Sequence, residues 1–269
     1  MKIGIVSLGL IGGSLFKKLS QSEHEIFAVT RNTETIKKAL KYCKNVSTEY
    51  EILKACDVVF VASPINKTLE VLDKLETIVS QDCIVLDCAS VKEFVMQKAR
   101  PYKFIGSHPM AGTEKNGFDA SFEELFVGAK WVLTPHKDTK EEDIELIEDI
   151  ISLTGAEVII ADEKEHDEAV ALISHMPLLL AQSLFNSVKD NKLASKLASS
   201  GFRDMTRLAM SNLEMAKDMR EYNAENIDIA LNKLYSSIDF LKNTKDLEIF
   251  TDIKNTRKNM YSIEGKNIF

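Results

Sequence analysis

The chain has 269 residues, 45% of them apolar, and a formal charge of −7, which is enough for two domains with a sizeable core. Its acidic balance argues against a broad nucleic-acid or anionic-membrane surface, since either needs a basic stripe; one or two aimed arginines still suffice for a small anionic substrate. No stretch approaches the roughly 20 apolar residues that cross a bilayer, and Cys43, Cys56, Cys83 and Cys88 have no metal-type spacing, so they read as reduced, buried fillers of a cytoplasmic protein.

In chain order, the first half alternates β-branched runs with amphipathic helical stretches. Strands are expected at Lys2–Ser7, Glu25–Thr30, Asp57–Ala62, Cys83–Asp87 and Lys103–Ser107, with helical patterns beginning near Gly12, Thr33, Asn66 and Val91. The opening run leads straight into this pattern and reads as a first strand, not a signal peptide. Such repetition predicts right-handed crossovers and a doubly wound parallel α/β sheet. After a polar loop over Met110–Gly128 come a strand at Trp131–Leu133, a helix over Glu141–Leu153 and a strand at Glu157–Ile160.

From about Asp162 strand patterns nearly vanish, and helices are expected over Glu163–Val188, Asp204–Met219, Ala224–Asn243 and Asp246–Asn259. The division is therefore a sheet domain over 1–162 and an all-α domain over 163–269. Four long apolar-striped helices exceed what one sheet domain can cover, which predicts a homodimer. Pro177, inside the first long pattern, removes a hydrogen bond and crowds the carbonyl of Ile173, so a kink is expected there.

The segment from Ile3 through Ser7, Gly9 and Gly12 to Ser14 is a strand, a tight turn and a helix start. It matches the glycine fingerprint of dinucleotide sites at its second and third positions, with Ser7 in place of the first glycine. Phosphate would lie at the helix N-terminus, where free N–H groups and the dipole favour negative charge. The second strand ends in Thr30 and Arg31, not in the acidic residue that accepts from an NAD ribose, so NADP is favoured and NAD remains possible. The expected cofactor-binding residues are Ser7, Gly9, Leu10, Ile11, Gly12, Thr30, Arg31 and Ser63.

Several polar groups fall at expected strand ends, where doubly wound folds bind ligands. Ser90 follows the fourth strand and, with Glu93, also forms a Ser-x-x-Glu capping box that would explain it structurally. His108, after Ser107 and before Pro109 in a run that ends at Gly112 and Glu114, is suited to accept a proton near neutrality. His175 adjoins the Pro177 irregularity at the domain junction. Arg203 and Arg207, in Gly201-Phe202-Arg203-Asp204-Met205-Thr206-Arg207, suit bidentate carboxylate recognition; either one is also open to a surface pair with a neighbour such as Asp204.

Taken in order and spacing, Gly9-Leu10-Ile11-Gly12-Gly13-Ser14, Ser90-Val91-Lys92, Ser107-His108-Pro109-Met110-Ala111-Gly112 with Glu114, Ser174-His175-Met176-Pro177 and the Gly201–Arg207 segment resemble the prephenate dehydrogenase family, including its arogenate-using members, over almost the whole chain. The resemblance implies oxidative decarboxylation of a cyclohexadienol in tyrosine biosynthesis, with hydride passing to NAD(P). It implies that His108 accepts the ring hydroxyl proton, that Ser90 hydrogen-bonds the hydroxyl or His108, and that Arg207 binds a substrate carboxylate. His175, Glu114 and Ser107 would complete the substrate site, with no metal. Leu178 departs from the second histidine that many prephenate-specific members carry, and this leaves prephenate against arogenate open. Two other classes compete: a β-hydroxyacid dehydrogenase, which would need a motif lysine in the helical half, and a non-catalytic dinucleotide sensor.

Overall fold

Short aliphatic runs and amphipathic stretches alternate along the chain as β1 (Lys2–Val6), α1 (Leu10–Leu19), β2 (Glu25–Val29), α2 (Thr33–Ala39), β3 (Asn45–Ser47), β4 (Val58–Val61), α3 (Ile65–Leu75), β5 (Ile84–Asp87), α4 (Glu93–Met96), β6 (Lys103–Pro109), β7 (Lys130–Pro135), α5 (Glu141–Ser152) and β8 (Glu157–Ile160). The computed structural model describes residues 1–211, 213–263 and 266–267. The strands form one eight-stranded sheet in the order β3-β2-β1-β4-β5-β6-β7-β8. Its first six strands are parallel. The sheet departs from a wholly parallel expectation at one place, where β7 runs antiparallel to β6 before pairing in parallel with β8. The segment between β6 and β7 holds only a 3-10 turn, Phe118–Ala120, so it lacks the long crossover that a parallel return requires.

Every residue of β4 is buried, as expected for a strand covered on both faces. Val58 and Phe60 pack with Ile3, Ile5 and Leu86 on one side, and Val59 and Val61 pack with Val6 and Val85 on the other. The strand order reverses between β1 and β4, so the ends of these two strands flank the crevice where such sheets bind ligands.

The remaining elements are helical: α6 (Glu163–Val170), a π turn (Ala171–His175), α7 (Met176–Val188), α8 (Lys192–Leu197), α9 (Ser200–Thr206), a 3-10 turn (Arg207–Met210), α10 (Leu213–Tyr222), α11 (Ala224–Asn243) and α12 (Glu248–Met260), followed by two-residue strands β9 (Ser262–Ile263) and β10 (Lys266–Asn267). The helix expected over Asp204–Met219 is thus divided among α9, the 3-10 turn and α10; Asn212, within that span, lies outside the described residues. The irregularity expected at Pro177 takes the form of the π turn. The Met176 N–H reaches back to the Ala171 carbonyl, and Pro177, which has no N–H, falls in the first turn of α7, where none is needed.

Two compact units divide the chain, residues 1–227 and 228–269. The first holds the sheet and the helices through α10; the second holds most of α11, α12 and the β9–β10 pair. The helical run Glu163–Val188 is 26 residues long and, by length and composition alone, apolar enough to cross a membrane. In this fold His166, Asp167 and His175 on that run are buried, and Asp167 bonds to the chain that follows β5.

Candidate active site

Two regions at the C-terminal ends of the strands concentrate polar groups. The first is a cleft of about 550 Å³ lined by Ser7, Gly9, Thr30, Arg31 and Asn32, together with Asn116 and Asp119. Ser63 and Lys67 line a smaller hollow that shares Ser7, Thr30 and Arg31. Gly12 has no room for a side chain: a Cβ there would meet the Ser7 carbonyl oxygen at 2.0 Å and the Ala62 Cβ at 2.9 Å. At Gly9, by contrast, a Cβ would stand in open space, which leaves the backbone bare beside the helix start. Leu10 and Ile11 open α1 there. Bare backbone at an uncapped helix N-terminus fits a pyrophosphate.

Ser7 holds the position of the first fingerprint glycine at φ 71, a left-handed conformation that costs a non-glycine residue of order 1–3 kcal/mol. Its hydroxyl lies 3.0 Å from that of Ser63, a bridge between the ends of β1 and β4 across the reversal of strand order. Asn32 is committed elsewhere, since its side-chain oxygen accepts from Glu34 N and Thr35 N at 2.9 and 3.1 Å and caps α2. This leaves Thr30 and Arg31, at the end of β2, as polar residues that line both hollows.

The second region lies at the ends of β5 and β6. β6 runs two residues past its expected end, so that His108 and Pro109 pair with Val132 and Trp131 of β7. His108 therefore projects from a strand and not from a loop. Its Nδ1 lies 2.9 Å from His166 Nε2, and His166 Nδ1 lies 2.7 Å from Asp167 Oδ1. The Asp167 carboxylate also accepts the main-chain N–H of Lys92 at 2.7 Å and of Glu93 at 3.0 Å. Surrounded by donors, it acts as an acceptor, and with both rings in the neutral form this orders the protons along the row: His166 donates from Nδ1, accepts at Nε2 from His108 Nδ1–H, and leaves His108 Nε2 as a lone pair.

Beneath this row, Lys92 Nζ bonds to Asp87 Oδ2 and donates to the Ser107 carbonyl at 2.6 Å. Asp87 accepts in turn from Ser107 N at 2.9 Å and from Ala89 N at 2.8 Å. Lys92 and Asp87 are both fully buried, so the pair is tolerable only because its lone pairs and protons find partners. Together they lock the end of β5 to the residue preceding His108. Burial is the largest cause that holds His108 well below its usual 6.5, followed by the neighbouring His166, Lys92 and His175. The ring is thus neutral, as a proton acceptor must be.

The other expected residues are placed unequally. Ser90 does not cap α4: its Oγ is buried without a hydrogen-bond partner, and the N–H of Glu93, which a capping box would give to Ser90, is taken with that of Lys92 by Asp167 from elsewhere in the chain. Ser107 is buried, and its hydroxyl donates to Asp87 O and accepts from Trp131 Nε1 at 3.2 Å, so it is occupied within the protein. His175 is buried and lies 3.1 Å through Nδ1 from Asn223 Nδ2; burial above all draws its pKa down to about 4. Glu114 and Arg207 are exposed. Arg203, not Arg207, pairs with Asp204, at 3.3 Å. His166, Asp167 and Asn223 were not expected from the sequence. The adjacent His-Asp at the start of a helix was the one available signal, and nothing local marks Asn223.

Comparison with known proteins bears directly on this arrangement. Residues 14–160 match the model for the prephenate dehydrogenase nucleotide-binding domain, and residues 162–251 match that for the prephenate dehydrogenase dimerization domain. Prephenate dehydrogenase of Bacillus subtilis is 30% identical over 238 residues, covering 83% of this chain and 64% of that protein; the chain thus spans less than two thirds of that relative's length. Among solved structures, Synechocystis arogenate dehydrogenase superposes with a TM-score of 0.82 at 33% identity, covering 97% of this chain and 99% of that one. Prephenate dehydrogenase from A. aeolicus, in complex with hydroxyphenyl propionate and NAD+, gives 0.85 at 29% identity, covering 97% and 98%. With both halves matched in order and the cleft and histidine row at the strand ends, the chain belongs to the prephenate dehydrogenase family.

Proposed function

We propose that this protein oxidatively decarboxylates prephenate or arogenate, giving the 4-hydroxyphenyl product in tyrosine biosynthesis and passing a hydride to a nicotinamide dinucleotide. The row His108–His166–Asp167, with its free end a lone pair, carries this reading. The A. aeolicus relative was solved with hydroxyphenyl propionate and NAD+, and a hydroxyphenyl carboxylate and a nicotinamide dinucleotide are the ligand classes proposed here.

The bound nicotinamide supplies the hydride acceptor. Ser7, Gly9, Leu10, Ile11 and Gly12 would hold the pyrophosphate, and Thr30, Arg31 and Ser63 the adenosine side, with NADP preferred over NAD. At the other end, His108 Nε2 takes the proton of the ring hydroxyl as the C–H bond on the same carbon gives up its hydride. The ring carboxylate then leaves as carbon dioxide, its bonding pair completes the aromatic ring as the C4 carbonyl oxygen becomes a phenolate, and His108 returns the proton to that oxygen. Positive charge developing on His108 is met, through His166, by the carboxylate of Asp167. Ser90 Oγ, buried without a partner, would bond the reacting hydroxyl. Arg207 would bind a substrate carboxylate, with Glu114 and His175 nearby in the site.

Residues 1–162 are proposed as the cofactor domain and 163–269 as the substrate and dimerisation domain of a soluble, cytoplasmic homodimer without a nucleic-acid or membrane partner. Exposed Tyr235, Ile238, Phe240, Phe250 and Ile253 in the second unit supply an apolar surface for a second copy. Initial rates with prephenate and with arogenate, each with NAD and NADP, test the activity. Turnover of one pairing is expected, and failure of all four would sink the reading.

A further inference from the structure

Asp167 takes part in two hydrogen-bond paths, one from its side chain and one from its main chain. The carboxylate leads through His166 to His108. The carbonyl oxygen accepts from Asn223 Nδ2 at 2.9 Å, and the same Nδ2 lies 3.1 Å from His175 Nδ1. We propose that Asn223 is a positioning residue that holds His175 with its proton on Nε2, so that His175 donates to an acceptor oxygen of the substrate while His108 remains an acceptor. The inference rests on the proposed function only for the presence of substrate beside His175.

The partners of Asn223 determine which way its amide points. A main-chain carbonyl can only accept, so the atom facing Asp167 O is the NH2 group. On its other side, Asn223 Oδ1 accepts from Asn226 Nδ2 at 2.8 Å, which agrees with that orientation. One amide hydrogen goes to Asp167 and the second is directed at His175 Nδ1. A proton on that nitrogen would set donor against donor, so Nδ1 accepts and the ring proton sits on Nε2. That Nε2 is buried without a partner in the protein, on a ring only 2% exposed. A buried donor lacking an acceptor is unfavourable until a ligand oxygen arrives.

Asn223 is itself held in place. It follows Tyr222, whose ring stacks on Phe94 of α4 with centroids 4.0 Å apart, and α4 is the segment whose first N–H groups hold Asp167. Two neutral imidazoles of opposite polarity thus share one anchor: a lone pair where a proton must be removed, and an N–H where an oxygen must be held.

Long-range 15N–1H imidazole spectra of the full-length enzyme test the assignment. His175 is expected with an unprotonated Nδ1 and a protonated Nε2, and His108 with the reverse. Asn223→Leu, which keeps the bulk and removes the donor, should mix the His175 tautomers. It should also raise substrate KM about three- to tenfold, the scale of one neutral hydrogen bond, with a smaller fall in kcat. A wild-type spectrum with the His175 proton on Nδ1 overturns the proposal whether or not any variant folds. A folded Asn223→Leu enzyme with wild-type spectrum and KM overturns it as well. His175→Ala separates the underlying reading: unchanged KM there, beside a wild-type spectrum with the proton on Nε2, refutes the substrate contact and leaves the tautomer assignment standing.

Discussion

The cofactor cleft and the histidine row lie along the same edge of one sheet, yet they are built in opposite ways. The cleft is open, lined by a few contiguous stretches of chain, and its non-glycine strain is confined to Ser7. The row is closed, formed by side chains from β5, β6, α6 and the α10–α11 junction, and nearly every polar atom in it has a partner within the protein. Among the described residues, and apart from the lone pair of His108 Nε2, its exceptions are Ser90 Oγ and His175 Nε2. A molecule gripped by phosphates tolerates an adaptable, solvated groove, because charge acts over distance. Proton transfer does not, because it depends on tenths of an ångström and on which nitrogen carries the hydrogen.

If that contrast holds, lesions in the row should be severe and lesions in the cleft mild. The largest effect is expected at the base itself: His108→Asn should lower kcat by about 10²–10⁴-fold, the usual worth of a general base, and a loss within threefold of wild type would remove His108 from that role. Asp167→Asn comes next. Its amide turns an N–H toward donors, loosening the polarity of His166 and leaving buried N–H groups unpaired at about 1–3 kcal/mol each. A fall in kcat of roughly ten- to a thousandfold should accompany a lower denaturation midpoint. Wild-type turnover in a destabilised Asp167→Asn protein would mean that the row is merely structural.

A gentler probe is pH. His175 titrates near its usual 6.5 when unfolded and at about 4 when folded. Above pH 6.5 neither state is protonated and its contribution is complete; as pH falls from 6.5 towards 4 the unfolded chain binds a proton that the folded one refuses, and stability falls by up to about 3 kcal/mol. His108, also held low, adds in the same direction. Urea midpoints across this window should therefore drop more steeply in wild type than in His175→Gln, and parallel curves would contradict the burial. The smallest effect is expected in the cleft. Arg31→Ala should raise KM for NADP by only a few-fold and leave that for NAD almost unchanged, because an exposed cation acts through screened charge. Higher wild-type kcat/KM with NAD would leave Arg31 as a surface residue.

The same contrast decides what could be read from the sequence. The strands of the sheet, the glycine turn and His108 announce themselves through neighbours in the chain, by period, by Gly spacing and by motif. The short β3 was missed because three residues carry no period. Ser90 shows the limit of local reading: Ser90 and Glu93 spell a capping box, yet Asp167, far along the chain, takes the N–H of Glu93. A distant carboxylate leaves no trace in the spacing, and neither does Asn223, a single amide between two helices. Residues defined by their long-range partners become visible only once the chain has folded.

The π turn at Ala171–His175 also governs phase. In a regular α-helix, His175, eight residues after Asp167, would sit about 80° around the axis from it. A π turn absorbs one residue, so the two stand as if seven apart, within about 20° of a common line. The bulge thus acts as a one-residue insertion that brings two stretches of helix into angular register on the face towards the sheet. Rewinding the turn as regular α-helix with all its residues kept would rotate everything beyond it by about 100°, carrying His175 off that face while sparing every side chain named in the row; deleting one residue before His175 would instead absorb the bulge and leave that angle unchanged. Within this segment, the winding of the turn matters as much as the identity of its residues.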